Sequence, residues 1–260
     1  MRLQYASDLH LEFILNKAYL EKYPLVPVGD VLLLAGDIVL LTNKQLRNNK
    51  IFDLWSSQFE QVYIIPGNHE FYNKHYPIEN IFPSMEKKVR ENVTYLNNKI
   101  VVHDNVRLIF STLFTKIPAS KSKQITMCLG DFHLSRFSHD SKLSLSVEEY
   151  NLAHEKCLAF LDDALQEDFD GTTVVVTHHV PYTKIFISNY PDFQYDLSDA
   201  FHVNLVDMIK KHKIDHWISG HTHINHPSIH LHDTWLHTNQ LVYVETGEHK
   251  KFNPETEITI

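Results

Sequence analysis

Five short stretches concentrate the residues that can bind metal or move protons. "SDLH" supplies Asp8 and His10, "GDI" supplies Asp37, and "GNHE" supplies Asn68, His69 and Glu70. Further along, "VVTHHVP" supplies His178 and His179, and "SGHTH" supplies His221 and His223. Asp, Asn and His together offer hard oxygens and borderline nitrogens. That set suits Mn, Fe, Zn or Co better than a thiolate-seeking ion or an all-oxygen calcium site. A carboxylate such as Asp37 is able to bridge two cations. Two ions roughly 3.5–4 Å apart acidify a shared water and clamp the attacking and leaving oxygens of a phosphoryl displacement. The chemistry these residues point to is metal-assisted phosphoester hydrolysis.

Each stretch alone has a plainer reading. Asp8 could cap a helix, "GD" commonly marks a turn, Asn68 could cap a helix entry, and "GHTH" could be a polar turn. Their placement argues otherwise, because each closes a short apolar run. "RLQYAS", "VLLLAG", "VYIIPG", "RLIFST", "TVVVTH" and "HWISGH" have the β-branched, aromatic and aliphatic content of strands buried on both faces. Loops at the carboxyl edge of an α/β sheet project their side chains into one crevice, so groups distant in sequence can share a site. Amphipathic stretches predict helices over about 43–59, 78–91, 147–167 and 200–212. After His226 the sequence turns to a β pattern of closing strands and hairpins. The segment 116–146 has no clear period, and its length suggests a flap. Asp131, His133, Arg136 and His139 lie there and could reach a phosphate or leaving group, although a solvated polar loop explains them equally well. Alternation in "SIHLHDTWLH" makes His226, His230, His232 and His237 exposed strand or turn residues. Trp55 reads as core.

The series "SDLH", "GDI", "GNHE", "THH" and "GHTH" resembles the calcineurin-like metallophosphoesterase superfamily, and within it the "SDLHLEF" opening, the Asp131-Phe132 element of the middle segment and the "VVVTHHVP" strand most resemble small bacterial predicted phosphohydrolases. The resemblance spans Asp8 to His223. It implies an α/β fold, a four-layer α-β-β-α sandwich of two mixed sheets flanked by helices, with a dinuclear centre at the sheet edge. By the same resemblance Asp8, His10, Asp37 and His223 would hold one transition-metal ion. Asp37, Asn68, His178 and His221 would hold the other, with Asp37 bridging. His69 resembles the family's catalytic histidine, which contacts phosphate and can protonate the leaving oxygen, while Glu70 would orient a histidine or close the local turn. His179 is left as substrate-facing or as support for the ligands. The chain departs from many members after "GD", where "GDIVLL" places Leu40 near the position of a second acid.

Composition narrows the partners. The chain has 260 residues, 43% hydrophobic, which fits a single domain with 116–146 as its flap. A formal charge of -8 gives no general attraction to polyanions or anionic membranes, so a small phosphoester is the expected substrate, without stable nucleic-acid binding. A nuclease of the same superfamily and a non-catalytic binding scaffold are the alternative readings. Two cysteines are too few for a disulfide framework or a thiolate zinc site, and the amino terminus has no leader-like pattern. A cytoplasmic protein is the expectation.

Overall fold

The computed structural model describes residues 1–140, 144–184 and 197–260. Among these, two six-stranded mixed sheets stack face to face between helices. Sheet one contains β1 (Arg2–Ala6), β2 (Val31–Leu34), β3 (Gln61–Ile64), β4 (Met85–Arg90), β5 (Val93–Asn97) and β12 (Glu257–Thr259), ordered β12-β1-β2-β3-β5-β4. Sheet two contains β6 (Lys99–His103), β7 (Val106–Ser111), β8 (Thr172–Thr177), β9 (His216–Ile218), β10 (Ile229–Leu231) and β11 (Thr234–His237), ordered β10-β11-β9-β8-β7-β6. In each sheet the inner four strands run parallel and the two edge strands antiparallel. The site-bearing strands β1, β2, β3, β8 and β9 are all parallel members, so their carboxyl ends meet at one edge.

Alternation explains why these runs are apolar throughout. Leu3 and Tyr5, Val31 and Leu33, Leu108 and Phe110, and Val174 and Val176 face one another in the core between the sheets. Their neighbours Leu32, Leu34, Val62 and Ile64 face the other way, into a core covered by α1 (Ile14–Lys22), α2 (Asn43–Asn48) and α3 (Ile51–Gln58), which contribute Leu20, Leu46, Phe52 and Trp55. The outer face of sheet two packs Val175 and Trp217 against Leu161 and Leu165 of the long helix Val147–Gln166 and Ile209 of the helix Val206–Lys211. The long helix starts at a capping box between Ser146 and Glu149, which satisfies donors at its first turn.

Three expected helices differ. The stretch 43–59 is two helices, broken at Asn49. The stretch 78–91 is a 3-10 turn, Ile78–Ile81, followed by β4; Pro83 ends the turn, and the charges of "EKKVR" guard a sheet edge. The stretch 200–212 holds a 3-10 turn, Ser198–Ala200, and a shorter helix starting at Val206. His237 also differs from its expected exposure: it is buried, its ring nitrogens bonded to His216 and Ser228. Among the described residues no helix is long and apolar enough to cross a membrane.

Candidate metal centre and active site

The loop after β1 runs beside the loop after β2, with the N–H groups of Asp8, His10 and Leu11 donating to the carbonyls of Gly36, Asp37 and Ile38. Five of the candidate ligands take left-handed backbone conformations, Asp8 at φ 53°, His10 at 47°, Asp37 at 55°, His221 at 67° and His223 at 59°. Such conformations are uncommon for non-glycine residues and cluster where the surroundings enforce them. Here they turn each chain sharply at the strand end and bring alternate side chains into the crevice. Gly36, at φ 89°, is needed on two grounds, because a Cβ there would also lie 2.4 Å from His178 Nδ1. Gly220 is needed for space alone. A Cβ there would lie 2.4 Å from Asp8 Oδ2, so this glycine supplies space while His221 and His223 make the turn.

The ligand atoms fall into overlapping groups. Asp8, His10 and His223 form one, and Asp37, His178 and His221 another; His10, Asp37 and His69 form a third group, so Asp37 stands between the first two. Asp37 Oδ1 accepts the His69 N–H at 2.8 Å. Its Oδ2 lies 3.4 Å from His178 Nε2 and 3.9 Å from His10 Nε2. The two histidines of "GHTH" fall in different groups. His221 joins His178, while His223 Nε2 lies 3.8 Å from Asp8 Oδ1.

The donor set fits cations. His10 Nε2 is buried and has no hydrogen-bond partner, an orphan that a metal ion would satisfy. His178 gives the stronger argument. Its Nδ1 donates to Ala35 O at 2.9 Å, while Nε2 faces Asn68 Oδ1 at 3.0 Å and Asp37 Oδ2. Two oxygens around one ring nitrogen require a positive centre, either a proton or a cation. Burial opposes that charge, yet Asp37 outweighs it and raises His178 to about 10. His221 follows the same logic, because Nε2 donating to Ala200 O at 3.2 Å leaves Nδ1 as its ligand atom.

Surrounding groups hold these atoms in place. Asn68 Nδ2 donates to Tyr72 Oη at 2.9 Å and to Asp131 Oδ2 at 3.3 Å, so Oδ1 is the atom turned toward His178. Glu70 is fully buried and accepts from the N–H groups of Asp37, Ile38 and Gly67, tying two site loops together. Burial and the neighbouring Asp37 charge push its carboxyl up to about 8, against the pull of those donors. His179 is not substrate-facing. It is buried beneath the site, with Nδ1 near Thr112 O and Nε2 near Tyr150 Oη, and burial and the His178 charge lower it to about 3.

A cavity of about 370 Å³ opens over the ligands. Asp37, Asn68, His69, Asp131, His221 and His223 line it together with Tyr72, Phe201, Tyr243 and Glu248. Within 116–146, α4 (Ser122–Cys128) and α5 (Asp131–Leu134) deliver Leu129, Gly130 and Asp131 to the wall; residues 141–143 lie outside the described residues. His133 is exposed and is not among the lining residues, and Arg136 and His139 contact each other. Several participants carried no readable signal. Gln240 donates to Thr222 Oγ1 and Ile224 O and accepts the His223 N–H, latching the "GHTH" loop from a distant segment. Glu12, two residues beyond His10, carried no such signal either.

His and Asp groups gather at the strand ends beneath an open cavity, and a family model described as calcineurin-like phosphoesterase matches residues 1–225. The chain belongs to the calcineurin-like phosphoesterase family. An uncharacterised protein of Acanthamoeba polyphaga mimivirus is 31% identical over 280 aligned positions, covering 99% of this chain and 96% of the relative. Among solved structures, phosphopantetheinyl hydrolase from Mycobacterium tuberculosis shares the fold with a TM-score of 0.62 at 19% identity, covering 96% of this chain and 92% of that one. Family membership together with the His and Asp clusters makes this chain a metal-dependent phosphoesterase.

Proposed function

We propose that this phosphoesterase hydrolyses a small phosphoester, a monoester or a compact diester, using two transition-metal ions with Asp37 as their shared ligand. One ion would be held by Asp8, His10, Asp37 and His223, the other by Asp37, Asn68, His178 and His221. The observation that carries the proposal is the position of Asp37 Oδ2 between His178 Nε2 and His10 Nε2, two ring nitrogens whose other sides are already committed. When bound, such cations neutralise phosphoryl oxygens and lower the pKa of water.

The chain's own contribution begins with His69, which lines the cavity beside the ligands. Burial lowers its pKa, but Asp37, Glu12 and Asp131 outweigh burial and raise it to about 9. With Nδ1 turned to Glu12, His69 presents Nε2 to the cavity, placed to give a proton to the departing ester oxygen, the task of a general acid. Tyr72 and Tyr243 wall the cavity and exclude bulk water from the ester. Among the described residues the cavity lining includes no Lys or Arg, which favours a compact ester over a polynucleotide. Leu129, Gly130 and Asp131 form one side of the site, so the part of the segment that carries them would act as a flap.

The test is manganese-supplemented hydrolysis of paired mono- and bis-aryl phosphates by wild type, His69→Ala and Asp37→Ala, with a phosphopantetheinyl ester as a third substrate because the structural neighbour is named for that group. Turnover lost in both variants, with metal lost chiefly from Asp37→Ala, is expected. Metal-loaded wild type that turns over none of the three would overturn the proposal.

A further inference from the structure

His10 and His69 come from separate strand-end loops, yet their rings meet edge to face with centroids 4.4 Å apart. Between them sits Glu12. One oxygen of its carboxylate, Oε1, lies 3.1 Å from His10 Nδ1 and 3.0 Å from His69 Nδ1. A carboxylate only accepts, so both Nδ1 atoms must carry hydrogens. The other ring nitrogen of each histidine is thereby assigned. His10 Nε2 becomes a bare lone pair, consistent with its lack of any hydrogen-bond partner. His69 Nε2 becomes the atom that exchanges a proton with whatever occupies the cavity.

We infer that Glu12 is a positioning residue for the reaction, a single carboxylate that fixes the tautomer of the ligand His10 and of the proton donor His69 together. This rests on the phosphoesterase reading of the site and assigns a role to a residue outside the ligand set. A purely structural carboxylate would use both oxygens. Glu12 Oε2 is instead buried without a partner, a desolvation cost that folding alone gives no reason to bear. Nor is Glu12 spent on helix capping, since Phe13 occupies the N-cap of α1 and no side chain caps that turn. The side chain is 9% exposed, so water competes poorly for its two histidine contacts. The spacing of "DLHLE" does the rest, placing Asp8, His10 and Glu12 on one stretch of chain that turns through the left-handed Asp8 and His10 and brings Glu12 back to His10 Nδ1.

The experiment compares wild type, Glu12→Gln and Glu12→Ala on two esters with the same phosphoryl group, one with a good leaving group that needs no proton and one with a poor alkoxide. Loss of His69 orientation lowers kcat on the poor leaving group by about 10–100-fold, the range for residues that orient a site histidine, with little change in KM. The good leaving group loses far less, and combining Glu12→Gln with His69→Ala adds little to His69→Ala alone. Equal losses on both esters would mark Glu12 as a general structural residue and overturn the inference. A second readout needs no turnover: histidine ¹⁵N spectra of the metal-loaded protein, with His69 assigned by His69→Ala. A His69 whose Nδ1 is protonated in wild type and loses that preference in Glu12→Ala supports the inference, and a ring unchanged by the substitution or protonated at Nε2 alone sinks it. If wild type hydrolyses nothing, the phosphoesterase reading falls while the spectra still judge Glu12.

Discussion

Asp37 spends one oxygen on the His69 N–H and holds the other between two histidine nitrogens, so its charge and its geometry are both in use. Asp37→Asn keeps the shape and removes the charge. It should lower turnover by more than about 100-fold, beyond the usual effect of an outer residue, and should reduce bound metal measured by elemental analysis. Full metal content with full activity would show that Asp37 is not the shared ligand. His237 gives a separate prediction away from the centre. Burial first, then the charges of His216 and His226, lower it to about 4 from the ordinary 6.5. Between those values the unfolded chain binds a proton that the folded site refuses, so stability falls as pH drops from about 6.5 toward 4. His237→Gln should flatten that slope in urea titrations at successive pH values; an unchanged slope would place the titration elsewhere. The sequence reading put His237 on the surface because alternation identifies a face without saying what later covers it. Here His216 and Ser228 bond to its ring and Tyr5 packs against it.

At the scale of elements, the site depends on strand ends that turn without side-chain freedom to spare. Gly36→Ala places a methyl group 2.4 Å from His178 Nδ1 on a backbone with φ 89°. Strain of about 1–3 kcal/mol is expected from the backbone alone, and His178 must also shift. The variant should therefore lose both thermal stability and metal, and a variant of wild-type stability would contradict the close approach. The helix α5 carries a subtler effect. Asp131 accepts from Tyr72 Oη at 2.7 Å and from Asn68 Nδ2, so Asp131→Ala frees the Asn68 amide to flip and should cost about 10-fold or more in kcat while leaving the fold intact. Equal kcat in the variant would detach the flap segment from the site. The strands that carry ligands were legible because both of their faces are buried and their ends are marked by polar residues. The stretch 78–91 was not. Its alternation is masked by charges that protect an edge strand, and the same charges suit an exposed helix face. Glu12 and Gln240 were illegible for another reason: Glu12 reaches His69 on another loop, and Gln240 latches the "GHTH" loop from a separate segment, pairings that no local pattern records.

For the molecule as a whole, the consequential feature is where the ligands originate. Asp8, Asp37 and Asn68 follow β1, β2 and β3 of sheet one, whereas His178, His221 and His223 follow β8 and β9 of sheet two. The sheets otherwise meet through an apolar core, which resists separation but is not directional. Some polar fastening exists at the site edge, where the His221 N–H reaches both oxygens of Asp8 at 3.1 Å and His178 Nδ1 reaches Ala35 O. Cations gathered by residues of both sheets would add bonds that exist only when the two edges are in register. Metal at about 100 times its dissociation constant should then stabilise the fold by about 2.7 kcal/mol, read as a rise in unfolding midpoint during manganese titration. Asp37→Asn should abolish most of that rise, because its carboxylate stands between the ligand groups. If the midpoint rises equally in wild type and Asp37→Asn, the ion is held by one sheet or by the surface, and the two sheets do not share a metal centre.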